Sequence, residues 1–258
     1  MEVIAKKRFG QNFLINKAIQ KAIVDVACVD DENVIEIGPG LGALTDLIKE
    51  LSKELIAYEI DNDLFKKLLV ENQNSNVRFI NEDFLNATFD EKKEWVVIGN
   101  IPYNITSEIL FKLIENHSIL KKATLMVQDE VANRLVAMPK TKEYSKLTVS
   151  VNFVGNVKKH FVVKASNFNP APKVDSAIIT IDFYKSLPYN LKKVLAFIKQ
   201  IFAFKRKMLI NNLVPQWPKA DVIWAIEQIG HKQTTRAEEL SLQEIMKLYE
   251  ILVNSKSN

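Results

Sequence analysis

The sequence predicts an α/β fold: a doubly wound sheet, mostly parallel with an antiparallel edge, plus a small α-helical C-terminal domain. Two observations predict it. Between residues 16 and 135, short β-branched runs alternate with segments of helical periodicity, as in successive βαβ units. After Tyr144 three strand-like runs follow one another without helices, and past Ser186-Leu187-Pro188 the chain reads as helix alone. With 258 residues, 47% of them hydrophobic, the chain has room for one large and one small domain. The boundary falls near Leu187, which gives domains 1–187 and 188–258.

Asn16 is placed to cap a helix running to about Cys28, with Ile19, Ile23, Val24 and Ala27 on one face. Val34 to Ile37 reads as a strand entering the run Gly38-Pro39-Gly40-Leu41-Gly42, and Leu44, Leu47, Ile48 and Leu51 mark the next helix. A second strand, Leu55 to Glu59, leads to a helix capped by Asp61, and a third, Val77 to Ile80, ends at Asp83. The fourth strand, Trp95 to Gly99, delivers Asn100-Ile101-Pro102-Tyr103 and is followed by a helix from about Thr106 to Asn116. Ala123 to Val127 is a fifth strand, and Asp129 or Glu130 opens a short helix. The runs 147–154, 157–163 and 174–183 are expected as antiparallel strands at the sheet edge. Helices are expected over 191–204, 207–213, 219–228 and 242–253.

Composition narrows the function classes. The net charge is only +4, but from Tyr184 onward 12 Lys and Arg face 6 Asp and Glu, a net of +6, leaving −2 for residues 1–183. A basic tail domain on a near-neutral body suits a polyanion partner. Lys205, Arg206 and Lys207 are its densest cluster, and Lys6, Lys7 and Arg8 form a second one near the amino terminus. The single cysteine, Cys28, rules out an internal disulfide and reads as a small core residue. The three histidines lie far apart without metal-ligand spacing, so no metal is expected. No apolar run approaches the ~18 residues of a membrane span, and the basic start lacks a signal peptide's apolar stretch. A cytoplasmic monomer is expected.

Chemistry concentrates at the carboxyl ends of the predicted strands, where open α/β sheets bind ligands. The glycine turn lets backbone approach a ligand closely, and Glu59, 21 positions after Gly38, is placed to grip ribose hydroxyls. These features alone fit either a nicotinamide enzyme or a methyltransferase. Asp83 can accept from an adenine amino group. Pro39 has no N–H to offer a phosphate, and no lysine follows the glycines. Both points favour S-adenosylmethionine as the cofactor. Glu36 either faces that donor's ammonium or is a paired strand acid. In Asn100-Ile101-Pro102-Tyr103, an amide and a carbonyl can accept from an exocyclic amine while a ring stacks on the base that carries it. The alternative is a plain strand-to-helix turn capped by Asn104 or Thr106.

Four motifs, in order, resemble the ribosomal RNA adenine dimethyltransferases of the KsgA/Dim type: Arg8 to Leu14, Glu36 to Gly40, Asn100 to Tyr103, and Phe168 to Ala177. Arg236 to Ser241 also resembles that family's carboxyl-terminal signature. The resemblance spans essentially the whole chain. It implies a Rossmann-like methyltransferase domain and a helical RNA-binding domain. It implies donor contacts from Asn12, Leu14, Gly38, Gly40, Glu59, Asp83 and Asn100. The target base would lie between Tyr103 and Phe168, its amine polarised by Asn100 and Ile101 beside Pro102. The implied substrate is a pair of adjacent adenosines in the 3′-terminal hairpin loop of small-subunit ribosomal RNA, modified late in subunit assembly. Ile101 stands where the family often has Leu. Ile there also occurs in macrolide-resistance enzymes that act on large-subunit RNA.

Overall fold

The computed structural model describes residues 6, 9–73, 76–205 and 207–254. Two compact units emerge: residues 1–132 with 155–186, and residues 133–154 with 187–258.

The first unit holds a seven-stranded sheet. Its parallel part comprises β2 (Asn33–Ile37), β3 (Glu54–Tyr58), β4 (Val77–Ile80), β5 (Trp95–Asn100) and β6 (Leu120–Gln128). Two antiparallel strands, β7 (Gly155–Val163) and β9 (Ser176–Phe183), complete the order β4-β3-β2-β5-β6-β9-β7. The order reverses between β2 and β5, so a crevice opens at their carboxyl ends. Gly99 lets these two strands meet, because a Cβ there would lie 2.7 Å from the Ile37 carbonyl oxygen. Among the packed helices, α1 (Lys17–Ala27) is capped by the Asn16 side chain as its sequence predicts, and α3 (Asn62–Glu71) by Asp61. The helix between them, α2 (Thr45–Ile48), is one turn long. After β5 comes α4 (Thr106–Glu115). Cys28 corrects one expectation: α1 ends before it, its φ of +54° turns it outward, and it is exposed.

A short pairing was not foreseen. β1 (Phe13–Leu14) runs antiparallel to β8 (Phe168–Asn169), with Leu14 opposite Phe168. It folds the amino-terminal segment onto the sheet's carboxyl edge, and Leu14 and Phe168 join the core with Val24, Ile98, Met126 and Ile178.

The second unit is helical: α6 (Lys146–Val154), α7 (Leu191–Ile201), α8 (Leu209–Leu213), α9 (Lys219–Gln228) and α10 (Leu242–Asn254). The intervening α5 (Asp129–Leu135) crosses the division between the units. Phe197 anchors the helical core, edge-on to Trp217 at 6.0 Å and to Tyr249 at 5.4 Å. The segment 147–154, expected as a strand, is helix α6. Seven of its nine residues are buried, so no polar stripe marks the helical period. The Thr148 hydroxyl donates to the Arg134 carbonyl, and the Asn152 amide to the carbonyls of Leu135 and Thr148. Residues 133–154 thus group with the helical unit, and the later division between the units falls between residues 186 and 187.

Candidate active site

A cavity of about 160 Å³ opens where β2, β3, β4 and β5 end. Asn12, Leu14, Gly38, Gly40, Glu59, Asp83 and Asn100 all line it, and so do Ile101, Pro102 and Tyr103. These residues lie up to 91 positions apart in sequence, and the fold brings them around one cavity.

The glycine turn enters with Gly38 N–H donating to the Tyr58 carbonyl at 2.9 Å. Gly38 and Gly40 both take φ near +60°, a conformation that L side chains rarely adopt. A Cβ on Gly40 would meet the Phe13 ring at 3.3 Å, so the amino-terminal wall packs directly on the turn.

Four acids line the cavity: Glu36, Glu59, Glu82 and Asp83. Glu59 is buried; its carboxylate accepts from Gly40 N–H at 3.1 Å and Asp61 N–H at 2.8 Å. Burial raises its pKa, and these backbone donors oppose the rise. Glu36 is fully buried, and its carboxylate accepts from the Thr45 hydroxyl at 2.7 Å. Burial pushes it up to about 8, with the Glu59 charge adding to the effect. One oxygen of Asp83 accepts from Leu85 N–H at 2.9 Å, capping a short turn and leaving the other for a ligand. None of the described residues lining the cavity is basic. A pocket of carboxylates without a cation suits a positively charged ligand with ribose and amino groups, and it does not suit a pyrophosphate. The donor set therefore fits S-adenosylmethionine.

At the rim, the Asn100 amide nitrogen donates to the Asn12 carbonyl at 2.9 Å, which fixes the amide's orientation and leaves Oδ1 as the acceptor. The Tyr103 hydroxyl shares a 2.5 Å hydrogen bond with Ser176 Oγ at the start of β9. Burial raises its pKa, so the phenol stays neutral. Neither Asn104 nor Thr106 caps α4: its N-cap is Ile105, which makes no side-chain capping bond. Capping therefore does not account for the polar residues of this turn.

Phe168 departs from expectation. It does not line the cavity; it is 4% exposed and sits in the core across from Leu14. The structure presents Tyr103 at the rim, not a pair of rings. Lys205 donates to the Lys142 carbonyl and pairs with Glu238, while Lys207 lies 5.1 Å over the Phe204 ring. Arg206, like Lys7 and Arg8, lies outside the described residues. Among the described residues no group of three or more His, Cys, Asp or Glu side chains is placed to hold a metal, and no helix is long and apolar enough to cross a membrane. Sequence reasoning assigned no site role to Gln11, Phe13, Asp61 or Ser176. Asp61 was visible only as a helix cap, and Ser176 only within the motif Phe168 to Ala177.

Comparison with known proteins agrees with this geometry. A family model described as ribosomal RNA adenine dimethylase matches residues 3–254. Ribosomal RNA small subunit methyltransferase A of Mycoplasmopsis pulmonis is 42% identical over 246 residues, covering 95% of this chain and 98% of its own. The protein of the same name from Aster yellows witches'-broom phytoplasma is 41% identical, with 94% of each chain covered. Among solved structures, a dimethyladenosine transferase from Plasmodium falciparum superposes with a TM-score of 0.81 at 29% identity, covering 95% of this chain and 98% of its own. The 23S rRNA methyltransferase ErmE gives 0.76 at 26% identity, covering 94% and 100%.

Proposed function

The chain belongs to the ribosomal RNA adenine dimethylase family, and from that premise we propose that it dimethylates N6 of two adjacent adenosines in the 3′-terminal hairpin loop of small-subunit ribosomal RNA. Its cofactor is S-adenosylmethionine. The observation that carries the proposal is the oriented Asn100 amide beside Tyr103 on the cavity that Glu59, Asp83 and the glycine turn also line.

When bound, S-adenosylmethionine supplies an activated methyl on a sulfonium. The residues that would hold it are Asn12, Leu14, Gly38, Gly40, Glu59, Asp83 and Asn100. Glu59 would accept from the ribose hydroxyls, Asp83 from the adenine amine, and the glycines would let backbone come close. The methyl needs no further activation, so the protein's main task is alignment, which can contribute ~7–11 kcal/mol to lowering the barrier. Asn100 Oδ1 and the Ile101 carbonyl accept from the target amine and push its lone pair out of the ring's conjugation. Pro102 sets the bend of this loop. Tyr103 stacks on the base from one side, its ring held by Ser176. Phe168 takes a supporting role: paired with Leu14, it anchors the amino-terminal wall. Among the described residues no histidine lines the cavity, so no imidazole is offered there as a general base.

We read residues 1–132 with 155–186 as the methyltransferase domain and the helical unit as the RNA-binding domain. In the latter, Lys207 and Arg206 meet phosphate, with Lys205 held back by Glu238. The protein then works as a cytoplasmic monomer, without a metal, on the assembling small subunit. The likeness to ErmE keeps a large-subunit target as the second reading. Asn100→Ala tests the central roles. It should still bind donor, more weakly for the lost Asn100 contact, yet leave tritiated methyl unincorporated into small subunits even at saturating donor; full incorporation would refute the role of the amide.

A further inference from the structure

The basic amino-terminal cluster reads in the sequence as a phosphate contact, but Lys6 is engaged elsewhere. Its Nζ lies 2.6 Å from Asp61 Oδ1 and 2.6 Å from Asp63 Oδ2. Its backbone N–H donates to Gln11 Oε1 at 2.7 Å, and the Gln11 amide donates to Asp61 Oδ2 at 2.9 Å. Phe9 N–H closes the loop on the Lys6 carbonyl at 3.0 Å. Lys6 and Gln11 thus bond to each other and meet on one carboxylate. The Asp61 side chain is only 3% exposed. Burial disfavours its charge, yet the bonds from Lys6 and Gln11 outweigh that and hold its pKa below the usual carboxylate range.

Two features give the loop a function. Its continuation, Phe9 to Ile15, is one wall of the cavity. The backbone N–H of the gripped Asp61 donates to Glu59, the carboxylate assigned to the ribose. At its other end the wall is tied down by the β1–β8 pairing and by Ile15 N–H donating to the Asn167 carbonyl at 2.9 Å. The Lys6 end is the accessible one: Asp63 is 73% exposed and Lys6 31%, so this fastening is the more easily opened.

We propose that Lys6 and Gln11 clasp the amino-terminal wall of the cavity shut by gripping Asp61, and so set how long the methyl donor and its demethylated product stay bound. Dimethylating one adenosine consumes two donors, so spent donor must leave and fresh donor enter between transfers. The clasp stands on the wall that must move for this exchange. Lys6 and Gln11 are positioning residues, since they act through Asp61 and the wall.

The proposal rests on the cavity being the donor site, and the experiment separates the two. Donor binding and dissociation are measured by calorimetry and stopped flow for the parent, Lys6→Met and Lys6→Arg. Amide exchange of residues 9–15 is followed without donor. Lys6→Met should weaken donor binding by about 5- to 20-fold, through faster dissociation. It should leave kcat at saturating donor within about two-fold, and it should speed exchange across 9–15. Lys6→Arg should restore all three. Parental dissociation and exchange in Lys6→Met would overturn the clasp while leaving the cavity assignment intact, and so would a loss falling on kcat alone. Failure of the parent to bind donor would overturn both.

Discussion

Glu36 shows how one buried side chain couples the site to pH. Its carboxyl stays protonated to about pH 8 in the folded protein, against an ordinary value of 4.5. The folded state therefore binds more protons than the unfolded state between those values, and stability falls as pH rises through that window. Glu36→Gln should flatten this decline and raise the melting temperature of the donor-free protein above pH 8. An unchanged pH profile would show that Glu36 is not the group responsible. A cationic ligand entering the cavity draws the proton off, so donor binding at pH 7 should release protons in the parent and fewer in Glu36→Gln. Calorimetry in buffers of different ionisation enthalpy reads this directly. Tyr103→Ala should lose base stacking worth ~1–3 kcal/mol, seen as weaker RNA binding with donor affinity retained. Gly38, Glu59, Asp83 and Asn100 were legible because each ends or closely follows a strand whose pattern is local, whereas Asn12 and Leu14 came only from the family resemblance. The burial of Phe168 was not legible. Asn167 and Pro170 suggest an exposed turn, and what buries the ring is pairing with two residues more than 150 positions upstream.

At the scale of elements, the reversal of strand order between β2 and β5 creates the crevice, and Gly99 permits the two strands to lie that close. Gly99→Ala would press a methyl to 2.7 Å from the Ile37 carbonyl oxygen and 2.9 Å from its Cβ. The expected cost is ~1–3 kcal/mol, read as a lower midpoint in urea. An unaltered midpoint would mean that the strands separate freely. The parallel strands and their helices were readable because β-branched runs and helical spacing alternate cleanly. Helix α6 was misread because Thr148, Ser150 and Asn152 alternate with Leu147, Val149, Val151 and Phe153, the period of a strand, while burial of most of its residues leaves no polar stripe at helical spacing. Its polar side chains Thr148 and Asn152 are taken up by the carbonyls of Arg134 and Leu135, contacts that no local pattern announces.

For the whole molecule, the uneven charge remains the most useful property: a net of +6 from Tyr184 onward against −2 before it. RNA binding should therefore weaken with salt, and Lys207→Ala should reduce the slope of log K against log salt by about 1. Lys205→Ala should reduce it less, because Lys205 is already committed to Glu238 and the Lys142 carbonyl. Equal effects would contradict that division of labour. Composition shifts near Leu187, whereas the grouping of residues 133–154 with the helical unit carries no local mark, since it depends on which core α6 joins. The central claim is that Asn100 and Tyr103 present an adenine amine to a methyl donor held by the glycine turn, Glu59 and Asp83. Mass-spectrometric mapping of ribosomal RNA methylated by parent and Asn100→Ala proteins tests it most directly. The account predicts N6,N6-dimethyladenosine at two adjacent positions of the small-subunit 3′-terminal hairpin with the parent and none with the variant. Modification of large-subunit RNA instead, or dimethylation persisting in the variant, would contradict it.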